Sequence, residues 1–269
     1  DDPERSVYEM IEKALYKAPF GSGIIGSAET VNSLTREKIM HIFEEKYSPE
    51  RFIVTVVGKA DIKKVCEKLE KDFSPRKKSY SALPIEKSNQ HLVEERLGID
   101  QSQFILAAHT PKDQIKQYAL EILDTYLARG FSGKLWLEIR EKRGLAYTIR
   151  GSIEREKSYS YYSIYVGTMK EAIPKVREMI IQGVNDVEKM TAQELADAKQ
   201  QLIGLRRVAT EESINTMQKL IFTEISTGNT EEYYRYEKHL NEITLEEVKS
   251  LAKNLLKEYS TAIIVPKNG

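Results

Sequence analysis

The sequence predicts an α+β fold made by duplicating one domain, an antiparallel-rich mixed sheet with helices packed on it, with the first copy truncated. Three observations predict it. Helix-period and strand-period segments interleave along 269 residues of ordinary globular composition, 41% hydrophobic and 30% charged. The stretch LTREKIMHIFEEKYSPERFIVTVV from Leu34 returns without a gap as ITLEEVKSLAKNLLKEYSTAIIVP from Ile243, an offset of 209 residues. Thr35 then aligns with Thr244, Glu37 with Glu246, Ile39 with Val248, Val54 with Ile263 and Val56 with Val265. Lastly, the second copy has a full body of elements ahead of TAIIVP, whereas the first has only its tail. Roughly a hundred residues of the first domain are therefore expected upstream of Asp1. The plainer alternative is that any two amphipathic helix–strand units look alike.

The elements follow in order. Val7, Met10, Ile11, Ala14 and Leu15 recur at helical spacing over 5–17, and Pro19 stops that helix. A Gly-rich loop follows. Thr35 can cap a helix through Lys46, with Glu37 in its first turn and Ile39, Ile42 and Phe43 turned to a core. RFIVTVVG (51–58) is a β-branched run of buried-strand type, and Asp61 caps a helix to Phe73. Residues 74–90, rich in Ser and Lys with two prolines, carry no periodicity and read as an interdomain linker. HLVEERL and SQFILAAHT read as strands, then a helix runs from Asp113 to Ala128 and a short one, LWLEIREKR, closes at Gly144. AYTIRGSIER and YSYYSIYVG read as an antiparallel pair turning at EKS, a Tyr-rich strand pair with one wetted face. Helices fill 171–189, 192–208, 212–226, 231–241 and 245–258, and TAIIVP is a last buried strand. The expected domains are thus 1–73, the tail of a first α+β domain, and 91–269, a complete second one.

Composition excludes several function classes. Lys+Arg and Asp+Glu are both 41, so no global basic field exists for a nucleic-acid backbone or an anionic membrane. The apolar runs are strand-sized, far below the ~20 residues of a spanning helix. The tract RKKSYS with the tyrosine run could stack bases, but a Tyr-rich strand pair is the commoner explanation. Neither nucleic acid nor membrane is expected as a partner. The single cysteine, Cys66, forbids an internal disulfide and multi-cysteine zinc sites, fits a reducing, cytoplasmic setting, and lies on a helix face expected in the core. No Ser sits in G-x-S-x-G, and the G-x-G-x-x-G of Gly21, Gly23 and Gly26 follows no strand.

A metal site needs converging ligands. HLVEE places Glu95 four residues after His91, a zincin-like pattern that works only on a helix, and this segment reads as a strand. His41 and His239 are expected in solvent, and His109 in a local hydrogen bond. No metal is expected in this chain. What remains is LWLEIREKRGLAYTIRG, where Arg140 on the short helix and Tyr147 on the next strand flank the Gly144 turn. A guanidinium and a phenol presented together suit a peptide carbonyl or a carboxylate. Equally, Arg140 could pair with Glu138 or Glu141 while Tyr147 merely packs; the residues leave both readings open.

EIREKRGLAY closely resembles the substrate-binding motif of the insulinase/pitrilysin zinc metallopeptidases, which include the mitochondrial processing peptidases. LYKAPFGSGIIGSAETVNSLTREKIMHIFEEKYSPERFIVTVVG is similar to the stretch that follows their zinc site, so the resemblance covers nearly the whole chain. It implies a duplicated α+β domain, and it gives Arg140 and Tyr147 the roles of holding substrate backbone and stabilising the transition state. The family's zinc ligands, two His of H-x-x-E-H and a downstream Glu, are absent here. The resemblance therefore implies that zinc belongs to an intact parent and that this chain alone cleaves nothing. Its implied partners are a peptide or unfolded polypeptide and an upstream fragment or second subunit, as in a homodimer. The alternative is a non-catalytic half that binds peptides or scaffolds a partner.

Overall fold

The structure, a computed structural model, describes residues 2–73 and 83–267. Five strands form one sheet: β1 (His91–Arg96), β2 (Ser102–His109), β3 (Ala146–Arg155), β4 (Ser160–Thr168) and β5 (Ser260–Pro266). Their spatial order is β1-β5-β2-β4-β3. Only β1 and β5 pair in parallel; β2 is antiparallel to β5 and β4, and β4 to β3. The mixed, antiparallel-rich sheet is the one the sequence predicts.

Alternation along the strands divides the core. One set of side chains, Phe104, Leu106, Tyr162, Ile164, Val166, Ile263 and Val265, joins a cluster to which three helices contribute most. These are α5 (Gln114–Leu127), α6 (Ile173–Asn185) and α10 (Leu245–Leu255). The opposite set, Ile105, Ala107, Tyr161, Tyr165, Ala262 and Ile264, packs on Val7, Ile11, Ala14 and Leu15 of α1 (Pro3–Leu15). The sheet is thus covered on both faces. The sequence predicts a strand pair with one wetted face; β3 keeps exposed positions, but every residue of β4 is buried, because α1 lies where solvent was expected.

The helices past the hairpin fall within a few residues of their predicted spans: α7 (Ala192–Ala209), α8 (Ser213–Thr227) and α9 (Glu232–Glu242) join α6 and α10. Ahead of β1 lie α2 (Ala28–Asn32), α3 (Arg36–Lys46) and α4 (Ile62–Asp72). Contacts group the chain into two units. One comprises Asp1–Gly23, Ile85–Leu205 and Arg235–Gly269 and holds the sheet. The other comprises Ile24–Pro84 and Arg206–Tyr234. Of the predicted linker, 74–82 lie outside the described residues. The rest is tied down, because Lys17 and Ser88 donate backbone N–H bonds to Glu86 and Leu15, and Tyr16 bridges Lys87.

Three predicted features of the first copy differ. RFIVTVVG forms no strand; Ile53, Val54 and Val56 are about half exposed, because a strand needs a ladder neighbour and 52–57 has none among the described residues. Ile39, Ile42 and Phe43 of α3 are exposed rather than turned to a core. Cys66 on α4 is exposed as well, so its helix face is not core.

Candidate functional site

The residues singled out by sequence occupy two adjoining elements at one edge of the sheet. Between α5 and β3 the chain makes a π-helical turn, Trp136–Glu141, with Lys142 N–H reaching back to Leu137 O at 3.0 Å. Such turns recur at functional sites. The buried Ile139 and Trp136 anchor it to the core, and it packs on β3. Gly144, with φ +62°, supplies the left-handed residue that reverses the chain, and its N–H bonds Arg140 O at 2.9 Å.

Arg140 makes no ion pair with either nearby glutamate. Glu138 is held by Lys142 and by Arg143, the latter at 2.7 Å, and these cations pull its carboxyl below the usual range. The Arg140 guanidinium instead lies over the Trp136 ring, 4.1 Å from its centroid, and Phe131 meets that ring edge-on at 4.9 Å. Among the described residues no carboxylate reaches Arg140, so its in-plane N–H donors are uncommitted.

Tyr147 stands on β3, the edge strand, at a bulge: Ala146 faces Thr168 while Thr148 faces Gly167, leaving Tyr147 as the extra residue. Bulges re-aim side chains. Tyr147 is half exposed and its hydroxyl contacts Met169 Sδ at 3.8 Å. It is not packed in the core.

β3 is fixed from behind. Asp124 of α5 receives two N–H bonds from Arg129, at 2.9 and 3.0 Å, and the Tyr162 hydroxyl at 3.2 Å. Burial pushes its carboxyl up against the pull of Arg129. A Cβ on Gly151 of β3 would lie 1.7 Å from Asp124 Oδ1, so only glycine lets the strand approach this group.

The remaining candidates do not assemble. His91 and Glu95 lie on β1, where four residues span about 13 Å, too far for one ion. His91 Nδ1 contacts Thr261 Oγ at 2.9 Å, and Glu95 pairs with Lys170. No group of three or more His, Cys, Asp or Glu is placed to hold a metal among the described residues, so the donors present do not fit a zinc ion. His109 is hydrogen-bonded, but to distant rather than local partners: Ser88 O at 3.1 Å and the Tyr16 hydroxyl at 3.3 Å. His239 is not simply solvated: it stacks on Tyr118, centroids 5.5 Å apart. Among the described residues no helix is long and apolar enough to cross a membrane.

Sequence reading missed Trp136. Its signal was available, since it precedes Arg140 by four residues, the spacing of neighbours on one helical face. Met169 carried none, because it meets Tyr147 only through strand pairing.

Comparison with known proteins places this chain in a family. The family model described as the peptidase M16 inactive domain matches residues 33–202. An uncharacterized zinc protease of Mycobacterium leprae is 28% identical over 99% of this chain, which spans 62% of that protein's length. Among solved structures, a protease from Helicobacter pylori superposes with a TM-score of 0.85 at 19% identity, covering 97% of this chain and 66% of that one. A peptidase M16 inactive domain from Pseudomonas fluorescens gives 0.82 at 18%, covering 100% and 67%. The two solved structures share this fold, and with well over half of its residues matched by the family model this chain belongs to the M16 peptidases, as a domain of their inactive type.

Proposed function

We propose that this chain is the peptide-holding half of an M16 zinc endopeptidase, in which Arg140 and Tyr147 donate to the backbone of a peptide or unfolded polypeptide. The observation that carries the reading is the uncommitted Arg140 guanidinium on a turn that packs on β3, the edge strand whose bulge carries an exposed phenol. A carbonyl oxygen gaining negative charge is best held by preorganised donors, and a guanidinium and a hydroxyl supply them without a proton transfer. The zinc would belong to the intact parent and not to these residues. On this reading 1–73 close a first α+β domain, 74–90 link it to 91–269, and the parent works in the cytoplasm with a second half or as a homodimer.

The match to an inactive-type domain supports a second reading: a non-catalytic half that binds peptide or scaffolds a partner. Steady-state kinetics of the full-length parent on a quenched fluorescent peptide separate the two. Under the first reading, Tyr147→Phe lowers kcat by about 10²–10³ through loss of one oxyanion donor. Arg140→Lys is also damaging, because an ammonium cannot reproduce the planar fork. Unchanged kcat/KM in both variants overturns it. Peptide binding without turnover by the wild-type parent selects the second reading.

A further inference from the structure

We infer that Trp136 is a positioning residue for Arg140: its indole face holds the guanidinium plane so that the arginine meets a peptide carbonyl with its donors already aimed. The inference rests on the peptide-holding reading above. A long arginine side chain loses much conformational freedom when it is fixed on a ligand, and prior fixation moves that cost out of the binding step. A carboxylate could fix it, but would occupy the donors that binding needs. An aromatic face does not, because a stacked guanidinium keeps all its N–H groups in a plane parallel to the ring and open at the edge.

The surroundings are consistent with this use. Trp136 is 8% exposed and sits among Leu135 and Ile139, so its ring is a rigid platform. Phe131 closes one side edge-on. Glu138 on the same turn is taken up by Lys142 and Arg143. The π-helical winding of 136–141 carries both members of the stack.

The test uses the 269-residue chain and two readouts. In a spectrum of ¹⁵N-arginine-labelled protein, the Arg140 Nε–H peak, assigned by its absence in Arg140→Lys, should be displaced upfield by the Trp136 ring current. Trp136→Leu should abolish the displacement, and Trp136→Phe should retain part of it. In parallel, anisotropy of a fluorescein-labelled unstructured peptide reports binding. Trp136→Leu should weaken it about three- to tenfold, Trp136→Phe less, and neither should weaken it further in an Arg140→Met background. Trp136→Phe guards against misfolding, since it keeps an aromatic face in the core. An undisplaced wild-type peak overturns the inference, as does an equal loss from Trp136→Leu with and without Arg140. Unchanged binding in Arg140→Met alone overturns the peptide-holding reading and the inference with it. Weaker binding in Arg140→Met with none in Trp136→Leu overturns only the role of Trp136.

Discussion

The segments 34–57 and 243–266 share a capping threonine, a first-turn glutamate and the same apolar spacing, yet they end in opposite environments. In the second, α10 buries Val248, Ala252 and Leu255, and β5 lies between β1 and β2 with Ile263 only 6% exposed. In the first, α3 buries nothing, and Val54, aligned with Ile263, is 56% exposed. Pattern alone sets a preference for helix and strand; burial and a hydrogen-bonded ladder require neighbours. β5 has them on both edges and both faces, through α1 and the α5–α6–α10 layer. The extended 52–57 segment has no ladder partner among the described residues, and with α8 it lines an open cleft of about 510 Å³ that includes Ile53, Val56 and Leu220.

The largest expected effect comes from truncating the two aligned strand positions. Ile263→Ala removes a packed side chain from a filled core and should cost about 2–5 kcal/mol. Val54→Ala should stay within about 0.5 kcal/mol, as exposed substitutions do. Urea unfolding followed by far-UV circular dichroism measures both. Equal losses would erase the contrast, and would mean that 52–57 is buried in solution.

A smaller effect separates the two caps. Thr244 accepts the Glu247 N–H at 3.3 Å, while the Glu247 carboxylate accepts the Thr244 N–H at 2.6 Å and its hydroxyl at 2.7 Å, a reciprocal box. Thr35 accepts Lys38 N–H at 3.3 Å, and a lysine has no acceptor to return. Thr244→Ala should cost about 1 kcal/mol of global stability. Thr35→Ala should instead raise hydrogen exchange within α3 and leave the unfolding midpoint nearly unmoved, because α3 is not fastened to a core. A shift of the midpoint by Thr35→Ala as large as that of Thr244→Ala would show the first copy to be cooperative with the sheet.

Much of this was legible beforehand. The helix caps, the β3–β4 hairpin and the strands β2 and β5 follow from side-chain chemistry within a few residues, and local chemistry is what a sequence displays. The Arg140–Tyr147 pairing of elements was legible because Gly144 forces a reversal between them. The side of β4 facing α1 was not, since the covering helix lies about 150 residues away and nothing local marks the encounter. Nor was the fate of Glu138: three cations follow it within five residues, and only geometry decides that Lys142 and Arg143 take it and Arg140 does not. The bulge at Tyr147 likewise depends on register with β4, which periodicity does not fix.

The finest test concerns the seam where α1, from the first copy's sequence, is bound into the sheet unit. His109 at the end of β2 joins that seam, with Nε2 donating to Ser88 O and Nδ1 facing the Tyr16 hydroxyl. Burial depresses its imidazole below the ordinary 6.5, with the Ser88 carbonyl pulling the other way. The sign follows from linkage. Just below pH 6.5 the unfolded chain takes up a proton that the folded chain resists, so unfolding binds protons and stability falls as the pH falls. The loss begins at the unfolded value and ends below the folded one. Urea midpoints measured between about pH 7 and pH 5 should decline, and His109→Gln should flatten the part of the decline nearest pH 6.5. Because the group holds Ser88 and Tyr16, the decline should be accompanied by faster exchange of the Ser88 and Lys17 amides, which tie 85–90 to the end of α1. A midpoint that rises on acidification in the wild type, or a slope identical in His109→Gln, would show that this histidine does not govern the seam, and α1 would then be held by its apolar face alone.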